Sequence, residues 1–242
     1  MKQKNAFRAI VIVLALAMLM SATACNLLPD PLGEAAVTRL VQGNLDTLYL
    51  GEFSKEYMEL VHSSEQELQD LYMEGIVMEA EYFAWYWGII DTDADETLEH
   101  LDKQLRQNII DLYIKISDQA KYEVESAVKM NDGSYTVKVW IQPIMIMEQA
   151  LEVYEKGSYQ PLEDYRRKSQ NVDWENISSQ EYWAMTNEYG QIIVDMVVSL
   201  LPTLGHDVHK SMVIQVAEDE DGYLQINGDD LGTFNSYVVT YP

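Results

Sequence analysis

Aspartates alternate along Asp91-Thr92-Asp93-Ala94-Asp95, and Asp102 follows. That spacing copies positions 1, 3, 5 and 12 of a calcium loop, where several carboxylate oxygens surround one hard cation on a tight turn. Two departures weigh against it. Glu96 stands where the turn needs glycine, and Asp102 is one methylene shorter than the usual bidentate glutamate. Acids that favour the positive end of the next helix explain the run more simply. No metal is expected, and Asp91, Asp93 and Asp95 are the residues that would hold calcium if it bound.

The run Tyr82-Phe83-Ala84-Trp85-Tyr86-Trp87 offers a different chemistry, since exposed rings stack on sugars. Helical spacing places Tyr72, Ile76, Ala80, Phe83, Trp87 and Ile90 on one face and Met78, Tyr82, Trp85 and Ile89 on its neighbour. A helix apolar around so much of its girth is expected between layers. Core or an apolar pocket wall is the expectation, with Tyr82, Trp85 and Trp87 the candidate ligand-binding residues.

Other candidates carry less. His206-Asp207-Val208-His209 offers two imidazoles, but residues three apart on an extended segment point to opposite faces. Met145 and Met147 fill core gaps more readily than they bind copper. No G-x-S-x-G, S-x-x-K, H-E-x-x-H or C-x-x-C pattern and no phosphate-binding glycine loop occurs. Forty acids allow no choice of a general acid and base from spacing alone.

Cys25 is the only cysteine. Lys2, Lys4 and Arg8 precede an unbroken apolar run, Ala9 to Met20, and small residues lead to Cys25. This is the layout of a secretory signal. Twelve helical residues reach about 18 Å, too short for a hydrocarbon core of about 30 Å. Ala22-Thr23-Ala24 before Cys25 resembles the lipobox of bacterial lipoproteins, although Ala22 stands where that family usually has Leu. The resemblance implies a diacylglycerol lipid on the Cys25 thiol and cleavage just before it. An ordinary signal peptidase would cut the same bond, but the leftover thiol favours lipidation. The expected organisation is a signal peptide over 1–24, a lipidated tether over 25–33 and one α+β domain over 34–242.

The elements that must position these groups are legible by period. Helices are expected over 34–50, 54–62 and from Ser64 to about Trp87. Ser64 and Glu67 form a capping box. A strongly amphipathic helix carries Leu98, Leu101, Leu105, Ile109, Leu112 and Ile116. The period then becomes two. Tyr135, Val137, Val139 and Ile141 alternate after Asn131-Asp132-Gly133, a hairpin signal. Further helices are expected over 145–169, with a break near Gly157 and Pro161, and from Ser178 to Pro202. A second hairpin joins 212–217 to 223–226 across Asp221-Gly222, and Phe234 to Tyr241 is expected to be a last strand. The fold class is α+β: helices on a small antiparallel sheet built from two hairpins and a C-terminal strand.

Removing residues 1–24 leaves thirteen Lys and Arg against forty Asp and Glu, a net charge near −27. Nucleic acid is excluded as a partner, since it is bound through Lys and Arg. Leu48–Tyr57, the hairpin Asn131–Val139 and the end hairpin Glu218–Tyr223 resemble segments of uncharacterised surface lipoproteins of Gram-positive bacteria. Element order alone resembles nuclear-transport-factor-2-like or cystatin-like folds. Together these readings lead to the expectation of a non-enzymatic binding or assembly module, held at the extracytoplasmic membrane face through Cys25. Its partner would be a protein, peptide or glycan. The alternatives are a carbohydrate or small-solute recognition lipoprotein serving a transporter and, third, a hydrolase without a recognisable motif.

Overall fold

Alternation in Tyr135–Gln142 makes β3 the organising strand: Tyr135, Val137, Val139 and Ile141 are buried, while the residues between them are half-exposed. The computed structural model describes residues 33–219 and 222–242. Strand β1 (Lys121–Val124) pairs antiparallel with β3, with Val124 opposite Val139. The two-residue β2 (Val128–Lys129) pairs further along β3. On its other side β3 pairs with β4 (Lys210–Glu218), which sets Val137 against Ile214 and Tyr135 against Val216. Strand β5 (Leu224–Ile226) completes the order β1-β3-β4-β5. With eight α-helices among the described residues, the fold class is α+β.

The described chain groups into two compact units. The first comprises residues 33–75, 117–144 and 206–239 and holds the whole sheet. Helix α1 (Glu34–Leu45) packs on β3 and β1 and buries Val37, Leu40, Val41 and Leu45. It continues into one π-helical stretch, Asp46–Leu50, and stops at Gly51, whose left-handed backbone (φ 62°) suits glycine. Helix α2 (Lys55–Val61) starts at Ser54, whose hydroxyl accepts from the Tyr57 amide. Helix α3 spans Glu65–Tyr86, and its expected capping box forms: Glu67 accepts from the Ser64 amide (2.7 Å) and Ser64 from the Glu67 amide (3.3 Å).

The expected C-terminal strand is instead helix α8 (Gly228–Val238). The Asn227 side chain accepts from the Asp229 and Asp230 amides and so fixes a helical first turn. Leu231, Phe234, Asn235 and Val238 then face inward at spacings of three and four, against β3 and β4. Only Val239 keeps extended pairing, as an isolated parallel bridge to Ile144.

The second unit comprises residues 76–116, 145–205 and 240–242 and is helical. The helix expected to include Leu98 and Leu101 is broken there. Thr97 caps a 3-10 turn, Leu98–His100, and helix α4 (Lys103–Ser117) starts only after Asp102, which accepts from the Leu105 amide at 2.7 Å. Two residues that prefer capping interrupt one apolar stripe. Helix α5 (Ile146–Lys156) ends at Gly157 (φ 61°), and α6 (Gln160–Ser169) follows, so the expected break is present. Helix α7 (Ser179–Leu200) begins with the Ser178–Glu181 capping box and packs on α5 and α6.

A candidate aromatic binding site

The ring-rich end of α3 does not present one row. Phe83 is fully buried, and Tyr82 and Trp87 are each 6% exposed. Trp85 and Tyr86 are half-exposed. Tyr82 meets Tyr241 edge-on at 4.9 Å and lies tilted against Trp85 at 5.4 Å. Tyr86 meets Tyr241 at 4.7 Å, and Tyr241 also touches the Tyr113 hydroxyl of α4. Of the three residues expected to bind a ligand, only Trp85 keeps much ring surface.

Trp87 joins a different set. Its indole lies 5.5 Å from Tyr86 and 5.5 Å from Tyr154 of α5. Tyr189 of α7 donates its hydroxyl to the Trp87 carbonyl at 2.9 Å and tilts against Tyr165 of α6 at 5.4 Å. Tyr165 donates in turn to the Met185 carbonyl at 3.2 Å. Tyr86, Tyr154, Tyr165 and Tyr189 are all half-buried, with one side apolar and another wet. Burial raises the Tyr189 phenol above its ordinary range, with Tyr154 adding to it, and burial followed by Glu188 raises Tyr165. These phenols stay neutral donors at any physiological pH. The indole Nε1 of Trp87 is buried and has no acceptor, whereas a buried Trp N–H usually finds one.

The basic side chains around these rings are paired. The Arg166 guanidinium lies 4.4 Å from the Tyr154 ring centre, donates to Glu163 at 2.6 Å and to the Tyr154 carbonyl at 3.1 Å. Arg167 pairs with Asp164, and Lys168 with Glu188. The basic cluster of the sequence is therefore neutralised in place. What the surface offers is ring faces and phenol groups. The sequence groups neither Tyr154 nor Tyr165 with Tyr189, because they come from separate helices. Their half-polar, half-apolar type was the one available signal.

The acidic run forms local turns. Asp91 accepts from the Asp93 amide at 2.9 Å, the Glu96 carboxylate accepts from the Asp91 amide at 2.8 Å, and Asp95 adopts a left-handed backbone (φ 56°). Asp102, the twelfth position of the proposed loop, is committed to capping α4. Among the described residues, no three His, Cys, Asp or Glu gather in a metal-binding group. His206 and His209 make separate contacts, with the Gln119 carbonyl and the Gln142 amide respectively. Cys25 lies outside the described residues.

The fold is similar to that of a bacterial protein assigned to the lipoproteins. That protein is ycdA, a candidate lipoprotein of Bacillus subtilis subsp. subtilis, whose crystal structure matches with a TM-score of 0.52 at 11% sequence identity. The match covers 84% of this chain and 56% of that one, so the chain spans little more than half the length of ycdA. At this identity the likeness concerns fold alone. It does not confirm the nuclear-transport-factor-2-like or cystatin-like arrangement. No protein-family model and no curated protein matches the chain in sequence. Among the described residues, no helix is long and apolar enough to cross a membrane.

Proposed function

We propose that this chain is a non-enzymatic binding module, held at the extracytoplasmic membrane face by a diacylglycerol lipid on Cys25. It takes a neutral, ring-shaped ligand such as a glycan through the aromatic site of the second unit. The leader before Cys25 and the fold likeness to a candidate lipoprotein support the anchor. One observation carries the ligand class: Trp85, Tyr86, Tyr154, Tyr165 and Tyr189 are half-exposed, and the basic side chains beside them are already paired. Sugars present flat C–H faces to rings and hydroxyl groups to phenols. An anionic ligand would have to displace an existing ion pair.

Calorimetric titration of the chain from residue 25, carrying Cys25→Ser, with neutral oligosaccharides tests this. Heat of binding is expected, and Trp85→Ala, which removes a half-exposed ring, should weaken it about five-fold, the equivalent of about 1 kcal/mol. Absence of binding across neutral glycans, or equal affinity in Trp85→Ala, removes the glycan reading. The anchor is tested separately. In cells, Cys25→Ser should move the protein from the membrane fraction to the soluble one. Retention in the membrane overturns the lipid assignment.

A further inference from the structure

Two exposed apolar side chains stand together on one hairpin. Of the six large hydrophobic residues that are strongly exposed among those described, Val128 (56%) and Met130 (45%) flank the exposed Lys129 at the start of the β2–β3 turn. Residues two apart on an extended strand share a side, so Val128 and Met130 form one apolar patch. Lys129 points the other way, with its amine 5.5 Å from the Tyr135 ring. The turn is well formed: Met130 N–H donates to the Ser134 carbonyl at 2.8 Å, and Gly133 (φ 94°) closes the reversal. The patch is therefore held out on an ordered tip.

The start of α1 is fastened beside this tip. The Glu34 carboxylate accepts from the Lys129 amide at 3.1 Å, and the Thr38 hydroxyl accepts from the Ala127 amide at 2.8 Å. Those bonds satisfy amides that β2 and the preceding turn would otherwise leave open. They also fix where the N-terminal chain leaves the first unit. Gly33 directly precedes Glu34, and Cys25 stands eight positions before Gly33. Eight residues extend at most about 28 Å.

We propose that the Val128–Met130 tip rests in the interfacial layer of the bilayer that carries the Cys25 lipid, as a second contact beside the anchor. The inference rests on anchoring at Cys25. Its occupant is a lipid surface because the short connection keeps the tip within reach of the membrane and the patch is too small to seat a folded partner.

The test couples the single thiol of the mature chain, Cys25, to a maleimide-bearing lipid in vesicles of phosphatidylcholine and phosphatidylglycerol. Hydrogen–deuterium exchange is then compared with the Cys25→Ser chain free beside the same vesicles. Exchange over 128–134 is expected to slow several-fold on anchoring, with no change in α2. The double variant Val128→Asp, Met130→Asp should stay anchored and lose that protection. Equal exchange over 128–134 in the anchored and free chains overturns the contact, and so does protection that survives the double variant. Because the lipid is attached chemically, this outcome is independent of whether cells acylate Cys25, which the mass of the native N-terminal peptide reports.

Discussion

Tyr122 hides its phenol beside Asp46, donating to the carboxylate at 2.7 Å, and the same oxygen accepts from Gln42 at 2.7 Å. Burial and then Asp46 push the Tyr122 phenol far above its usual range. Removing the hydroxyl leaves a half-buried carboxylate short of a donor, so Tyr122→Phe should cost about 1.5–3 kcal/mol in urea unfolding. Tyr57 gives a pH signature. Burial raises its phenol from 10.0 to about 12, opposed only by the Asn44 contact. Below pH 10 the phenol is neutral in both folded and unfolded chains, and its contribution to stability is full. Above that, the unfolded chain ionises first, so stability falls as pH rises and the contribution is lost as pH passes about 12. Tyr57→Phe should flatten that alkaline slope in denaturation curves. Neither role was legible in advance. A tyrosine in sequence says only that a ring wants cover and a hydroxyl wants a partner.

At the scale of elements, capping and close approach decide what forms. Asn227 turns a segment that alternates well enough for a strand into α8, so Asn227→Ala should cost about 1 kcal/mol and lower helical ellipticity. An unchanged melting curve would show that packing of Phe234 and Val238 suffices alone. Gly43 lets α1 and α2 touch: a Cβ there would meet the Tyr57 ring at 2.3 Å. Gly43→Ala gains about 1 kcal/mol of helix propensity but forces the ring to move, a cost of about 1–3 kcal/mol. Net destabilisation is expected on thermal melting. The capping box at Ser64 and the break near Gly157 were legible because each depends on near neighbours. The break at Leu101 and the helix after Asn227 were coded equally locally. They were outweighed by a longer apolar period and by β-branched residues near the end.

For the whole molecule, charge is the dominant variable. Forty acids against sixteen bases repel one another, while exposed pairs such as Lys55–Glu59, at 3.6 Å, contribute little. Raising salt from low to physiological strength shortens the screening length to about 8 Å and should raise the melting temperature. A fall would mean that the surface pairs outweigh the repulsion. The alternating face of β3 and the burial of α4 were readable because a period names the inward side.

By itself the sequence determined the α+β class, most helix ends and the strand alternation, since each depends on contacts within a few residues. Only the tertiary structure decided what the inward faces meet. It set Trp87 beside Tyr154 and Tyr189, the latter 102 residues away, and it fastened Glu34 to the arm of the β2–β3 hairpin. Periodicity specifies that a side chain turns inward. The partner that waits there depends on how distant segments share one core, and no local spacing encodes that.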